Sequence, residues 1–99
     1  MFTLKSFNVD NKIVVGLKVD VLNPPLLLII GEKGVLSCGY FDLKTAAKFN
    51  VPVAIVRGVK NFEDMWDAEV QELTDSANRL GVVKGERGEE AIRKFSGVI

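Results

Sequence analysis

Cys38, the single cysteine, sits where a nucleophile can sit: near the end of an apolar run, just before Gly39-Tyr40 and a helix start at Asp42. A turn into a helix N-terminus can depress a thiol pKa and expose the sulfur. The chain has no histidine, however, so the usual base is missing. Lys, Asp, Glu or groups of a second subunit would have to replace it. Leu36 and Tyr40 fall on the same side of the alternating run as Cys38, the pattern of a small core residue. Buried and inert is therefore the expectation for Cys38. It is the one catalytic candidate, and no other catalytic residue is assigned.

Arg57 and Lys60 carry a different chemistry. Arg57 follows the apolar run Val53-Ala54-Ile55-Val56, and Gly58-Val59-Lys60 leads to a helix start at Asn61. Two cations beside a helix N-terminus make a site for a carboxylate or phosphate. The competing reading pairs Arg57 with a nearby carboxylate or with an oligomer partner. Tyr40, Asp42 and Thr45, from the preceding strand-to-helix turn, would complete a small polar pocket if the two turns lie together.

Other patterns carry less. Gly81, Gly85 and Gly88 lack the Lys-Ser/Thr of a P-loop and the spacing of a dinucleotide fingerprint, and Glu89-Glu90 stand where a phosphate would sit. They read as a helix cap and turns. Carboxylate pairs such as Glu63/Asp67 and Glu69/Glu72 have helical spacing, which by itself says nothing of acid–base work. Aromatics are not interleaved with basic residues as in single-strand nucleic-acid binders.

The elements that must position these residues fit one domain, 1–99, since 99 residues leave no room for a second core. Thirteen basic and thirteen acidic side chains cancel, so charge draws the chain neither to nucleic acid nor to an anionic membrane. The distribution is uneven. Residues 1–60 carry eight basic and four acidic groups, residues 61–76 six acidic and none basic, and residues 77–99 five basic and three acidic. The acidic block reads most simply as a solvated helix face, the rival reading being a surface that pairs with the basic part of a neighbouring subunit. A lone cysteine without histidine excludes an internal disulfide and a Cys/His zinc site, so neither metal nor cofactor is expected. With no signal-peptide pattern and no long apolar run, a cytoplasmic protein is the expectation.

Phe2, Leu4 and then Phe7, Val9 alternate with polar residues, and the slip at Ser6–Phe7 predicts a bulge or bend. Asp10-Asn11 suits a hairpin turn. From Lys12 to Leu22 a half-buried strand is expected, with Ile13, Val15, Leu17, Val19 and Val21 facing one way. Asn23-Pro24-Pro25 stops it. Leu26–Ile30, apolar on both faces, reads as a central strand or one whose second face another subunit covers. Gly31–Gly34 turns the chain into a fourth strand from Val35 to Phe41. Asp42 caps a helix from Leu43 to about Phe49, and Val53–Val56 is a short buried strand.

Phe62, Trp66, Val70, Leu73, Ala77 and Leu80 recur at helical spacing, which predicts one helix ending at Gly81. The alternative breaks near Ala68, with a strand at Glu69–Leu73 and Thr74 capping a second helix. A last helix carries Glu89, Glu90, Arg93 and Lys94 as two i,i+4 pairs, with Ile92 and Phe95 inward. The fold class is α+β. It has a mainly antiparallel sheet, an N-terminal four-strand meander plus a short strand after the first helix, with two to four helices packed on one face.

Together these segments resemble a small archaeal and bacterial family, domain of unknown function 1805. The resemblance rests on Leu27-Leu28-Ile29 with Lys33-Gly34, on Cys38-Gly39-Tyr40 with Asp42 and Thr45-Ala46, and on Ala54 through Lys60. It continues through Val70, Thr74, Ala77 and Gly81-Val82 to Gly85, Gly88, Glu90 and Ala91. Where the family often has a methionine after the Gly85 position and an arginine after the Gly88 position, this chain has Glu86 and Glu89. The resemblance implies a compact α+β domain and supplies no catalytic residues.

The functional expectation is a non-catalytic module that self-associates as a homo-oligomer or binds a small anionic ligand, without nucleic-acid or membrane partners. The alternative is a small enzyme with its site between the Cys38–Asp42 and Arg57–Lys60 turns, within one chain or shared between subunits.

Overall fold

The computed structural model describes residues 1–97. Strand β1 (Phe2–Val9) pairs antiparallel with β2 (Lys12–Val19) through an unbroken register, from Phe2 opposite Val19 to Val9 opposite Lys12. Asp10 and Asn11 join them with φ of 48° and 70°. Two consecutive positive φ values match the right-handed twist of the strands they connect. The expected bulge at Ser6–Phe7 is absent. The apparent slip arises because Phe2 and Leu4 lie on one face of the sheet, and Phe7 and Val9 on the other.

Strand β3 (Leu26–Ile30) pairs antiparallel with β2, and β4 (Val35–Ser37) antiparallel with β3, which completes the meander. Helix α1 (Leu43–Lys48) then crosses to β5 (Val53–Ile55), which lies parallel to β4. Helix α2 (Phe62–Asp67) leads to β6 (Glu72–Leu73), antiparallel to β5, and the chain ends in α3 (Asp75–Arg79) and α4 (Gly88–Ser96). The six strands lie in sequence order across one sheet.

The single helix expected over Phe62–Leu80 is corrected by these elements. Ala68 is extended, and the sheet claims the amides beyond it: Gln71 donates to the Ile55 carbonyl and Thr74 to the Val53 carbonyl. Thr74 caps α3, accepting from the Ala77 amide at 3.2 Å. Phe62, Val70 and Ala77 still reach one core, so helix, strand and helix together imitate a helical stripe.

That core lies on one face of the sheet. Val14, Leu27, Ile29, Leu36, Ala54 and Val56 meet Phe62 and Met65 of α2, Ala77 of α3, and Ala91, Ile92 and Phe95 of α4. Burial of side chains such as Phe95, Leu27 and Ile29 stabilises the fold by roughly 1.5–3 kcal/mol each. Helix α1 covers the opposite face at one end, setting Ala46 on Val53 and Ile55 with Val35, Phe41 and Leu43 around them. On β2 the enclosed residues are Val14 and Gly16, while Ile13 and Val15, expected on the buried side, are exposed. The two i,i+4 pairs expected on α4 give way to longer-range ones: Arg93 pairs with Asp10, and Lys94 with Glu86. Among the described residues, no helix is long and apolar enough to cross a membrane.

Candidate functional site

Strands β4 and β5 are parallel neighbours, and the chain leaves them in opposite directions. Beyond β4, residues Cys38–Asp42 lead to α1 on one face; beyond β5, residues Val56–Asn61 lead to α2 on the other. Divergence of this kind opens a crevice outside the carboxyl ends of the strands, where open α/β sheets place their ligands. A pocket of about 440 Å³ occupies that position. Its lining is Pro24, Pro25, Cys38, Gly39, Tyr40, Arg57, Gly58, Val59 and Lys60.

The proline wall is tied in place by Tyr40, whose hydroxyl donates to the Pro24 carbonyl at 2.6 Å. Cys38 lies at the pocket's floor and is 5% exposed. Its amide donates to the Leu27 carbonyl at 3.0 Å, and its Sγ accepts from the Leu27 amide at 3.3 Å. The thiol thus extends the β3–β4 ladder, the role of a core residue.

Arg57 reaches across the pocket edge. Its guanidinium pairs with the Glu72 carboxylate of β6, which is the competing reading of this arginine, while Nη1 lies against Gly39. Both partners of the pair are about half exposed. The start of α2 is closed by the chain itself. Asn61 Oδ1 accepts from the Asp64 amide at 2.8 Å, and Asp64 Oδ2 accepts from the Lys60 amide at 2.9 Å. The Asp64 and Lys60 amides being engaged in this way, the cations lining the pocket for an anion are the Arg57 and Lys60 side chains.

Tyr40, Arg57 and Lys60 share the pocket, whereas Asp42 and Thr45 stand apart from its lining. The Asp42 carboxylate accepts from Thr45 Oγ1 at 2.8 Å and from the Lys44 amide at 3.0 Å, which caps α1. The Thr45 hydroxyl, and then the Lys44 amide, hold the Asp42 carboxyl below its ordinary value. Pro24 and Pro25, which lie outside the two turns expected to frame the site, also line it. The double proline reads in sequence as a strand stop, and nothing local shows that it returns to wall a pocket.

Gly81 and Gly85 occupy turns with positive φ, and Gly88 packs against the Met65 carbonyl, so the glycines serve as caps and close contacts. No group of three or more His, Cys, Asp or Glu that could hold a metal ion occurs among the described residues.

Comparison with known proteins agrees with the resemblance read from the motifs. The family model described as a domain of unknown function, DUF1805, matches residues 37–95, more than half of the chain. The fold is similar to the crystal structure of TA1206, a protein of unknown function from Thermoplasma acidophilum. The TM-score is 0.91 and the identity 34%, over 96% of this chain and 93% of that one. No curated protein matches. The chain belongs to the DUF1805 family.

Proposed function

We propose that the protein is a non-catalytic binding module, taking into the β4–β5 pocket a small molecule with an apolar body and one anionic group. The observation that carries this reading is the pocket's position and lining together. It lies where two parallel strands release the chain to opposite faces, and a carbon-rich wall of Pro24, Pro25 and Val59 faces the cations Arg57 and Lys60. Its volume falls within the roughly 300–1,000 Å³ usual for small-molecule sites.

The apolar wall and Tyr40 take the ligand body, and the cations fix its charged end. Covalent chemistry is disfavoured because Cys38 Sγ is already engaged by the Leu27 amide and deeply buried. Isothermal titration with phenyl phosphate tests the reading. Saturable binding that weakens at least ~10-fold in Arg57→Ala/Lys60→Ala is expected, since hydrogen bonds to charged groups contribute about 1.5–3 kcal/mol. Equal affinity of the two proteins would refute it.

A further inference from the structure

Helix α1 covers the second face of the sheet only at its β4–β5 end. Across β1, β2 and β3 that face stays open, and the strand registers stack its side chains into rows. Phe2 and Val19 form one row, Leu4, Leu17 and Leu28 the next, and Ser6, Val15 and Ile30 a third, with Ile13 beside Asn8 at the end. Every charged residue of these three strands alternates onto the other face. Phe2, Leu4 and Ile13 are 64%, 62% and 59% exposed.

We propose that a second copy of this chain covers this face, the two sheets packing about 10 Å apart across a two-fold axis. Area is the first argument. Phe2, Leu4, Ile13, Val15 and Ile30, each at least 36% exposed, join on this face into one contiguous apolar patch. A monomer rarely leaves so broad a patch uncovered, and a partner face of like size covers it, as in a standard interface of about 800 Å² per side.

Charge is the second argument. An identical partner brings identical charges, so a homodimer needs a rim that does not repel itself. Beyond one end of the rows the N-terminal amine is paired with Asp20 at 3.5 Å, and beyond the other Lys12, which alternates onto the core side, is paired with Glu32 at 3.9 Å. Each end is neutralised within its own chain. An uncharged patch offers a charged partner nothing to pair with, whereas it is complementary to itself. This surface is separate from the ligand pocket, and its test is independent of ligand binding.

Sedimentation velocity of the full chain from 1 to 100 µM, with Leu4→Lys/Ile13→Lys beside it, tests the proposal. The wild type should sediment at twice its 10.9 kDa chain mass. The variant should be a folded monomer, its dimer weakened more than ~100-fold by unpaired charges placed in the interface. If the lysines unfold the chain, the milder Leu4→Ser/Ile13→Thr should still weaken the dimer at least ~10-fold. A monomeric wild type at 100 µM would overturn the proposal. So would a dimer indifferent to these substitutions but lost when Lys5→Pro blocks the free edge of β1.

Discussion

Arg57 lies so close over Gly39 that a Cβ added to the glycine would meet Nη1 at 2.6 Å. The contact is with the far end of a flexible side chain, so the fold can tolerate the methyl if the guanidinium moves. Gly39→Ala is therefore expected to change stability by less than about 1 kcal/mol, while phenyl phosphate binding by calorimetry weakens several-fold. Glu72→Gln should act in the opposite direction on the ligand. It releases Arg57 from a half-exposed ion pair that solvent screening limits to about 0–1 kcal/mol. Anion binding should tighten while the urea midpoint barely moves.

Gly88 marks the closest approach of α4 to α2. A Cβ there would stand 1.8 Å from the Met65 carbonyl oxygen, which is backbone and cannot rotate away. The Gly88 amide also donates to the Ala68 carbonyl at 2.7 Å. Gly88→Ala should destabilise the protein by about 3 kcal/mol or more, read from urea unfolding, because two helices must separate.

Glu86 and Lys94 form the most enclosed ion pair among the described residues, with side chains 6% and 19% exposed. Lys94 Nζ bonds Glu86 Oε1 at 2.6 Å and the Gly81 carbonyl at 2.7 Å, while Glu86 Oε2 is buried without a hydrogen-bond partner. Lys94→Met leaves that carboxylate buried alone and should cost about 3–5 kcal/mol. Glu86→Met should be near neutral, because Lys94 keeps the Gly81 carbonyl and some contact with water. Thermal unfolding of the two variants separates these outcomes.

Asp42 supplies the pH dependence. Its folded-state pKa is lowered from 3.8, chiefly by the Thr45 hydroxyl and then by the Lys44 amide. A depressed carboxyl adds stability that is fully present above its unfolded value and lost as pH falls through its folded value. The α1 cap is thus intact at neutral pH and released only below about pH 4. Carbon-detected NMR titration should place the Asp42 midpoint under 3.8, and Thr45→Val should raise it toward that value.

Much of this was legible in the chain because its signals are local. Asp10-Asn11 specifies a hairpin, and Asp42, Asn61 and Thr74 each accept an orphan amide three residues or fewer ahead. What sequence could not give was which of two apolar faces the helices choose. Alternation along Lys12–Leu22 shows two sides of a strand, but only tertiary packing puts Val14 inside and leaves Ile13 out. Arg57's partner was hidden for a related reason. Glu72 comes within reach because β6 pairs with β5 and sets Ile55 opposite Glu72, and that pairing depends on the break after Asp67. The pocket itself needs the parallel β4–β5 pair, which no short motif announces.

The most direct test of the binding reading is an amide NMR titration of the intact protein with phenyl phosphate. Saturable shifts confined to Gly39, Tyr40, Gly58, Val59 and Lys60, and lost in Arg57→Ala/Lys60→Ala, are the expected result. Shifts that centre elsewhere, or that persist unchanged in the double variant, would contradict the assignment of the β4–β5 pocket as a ligand site.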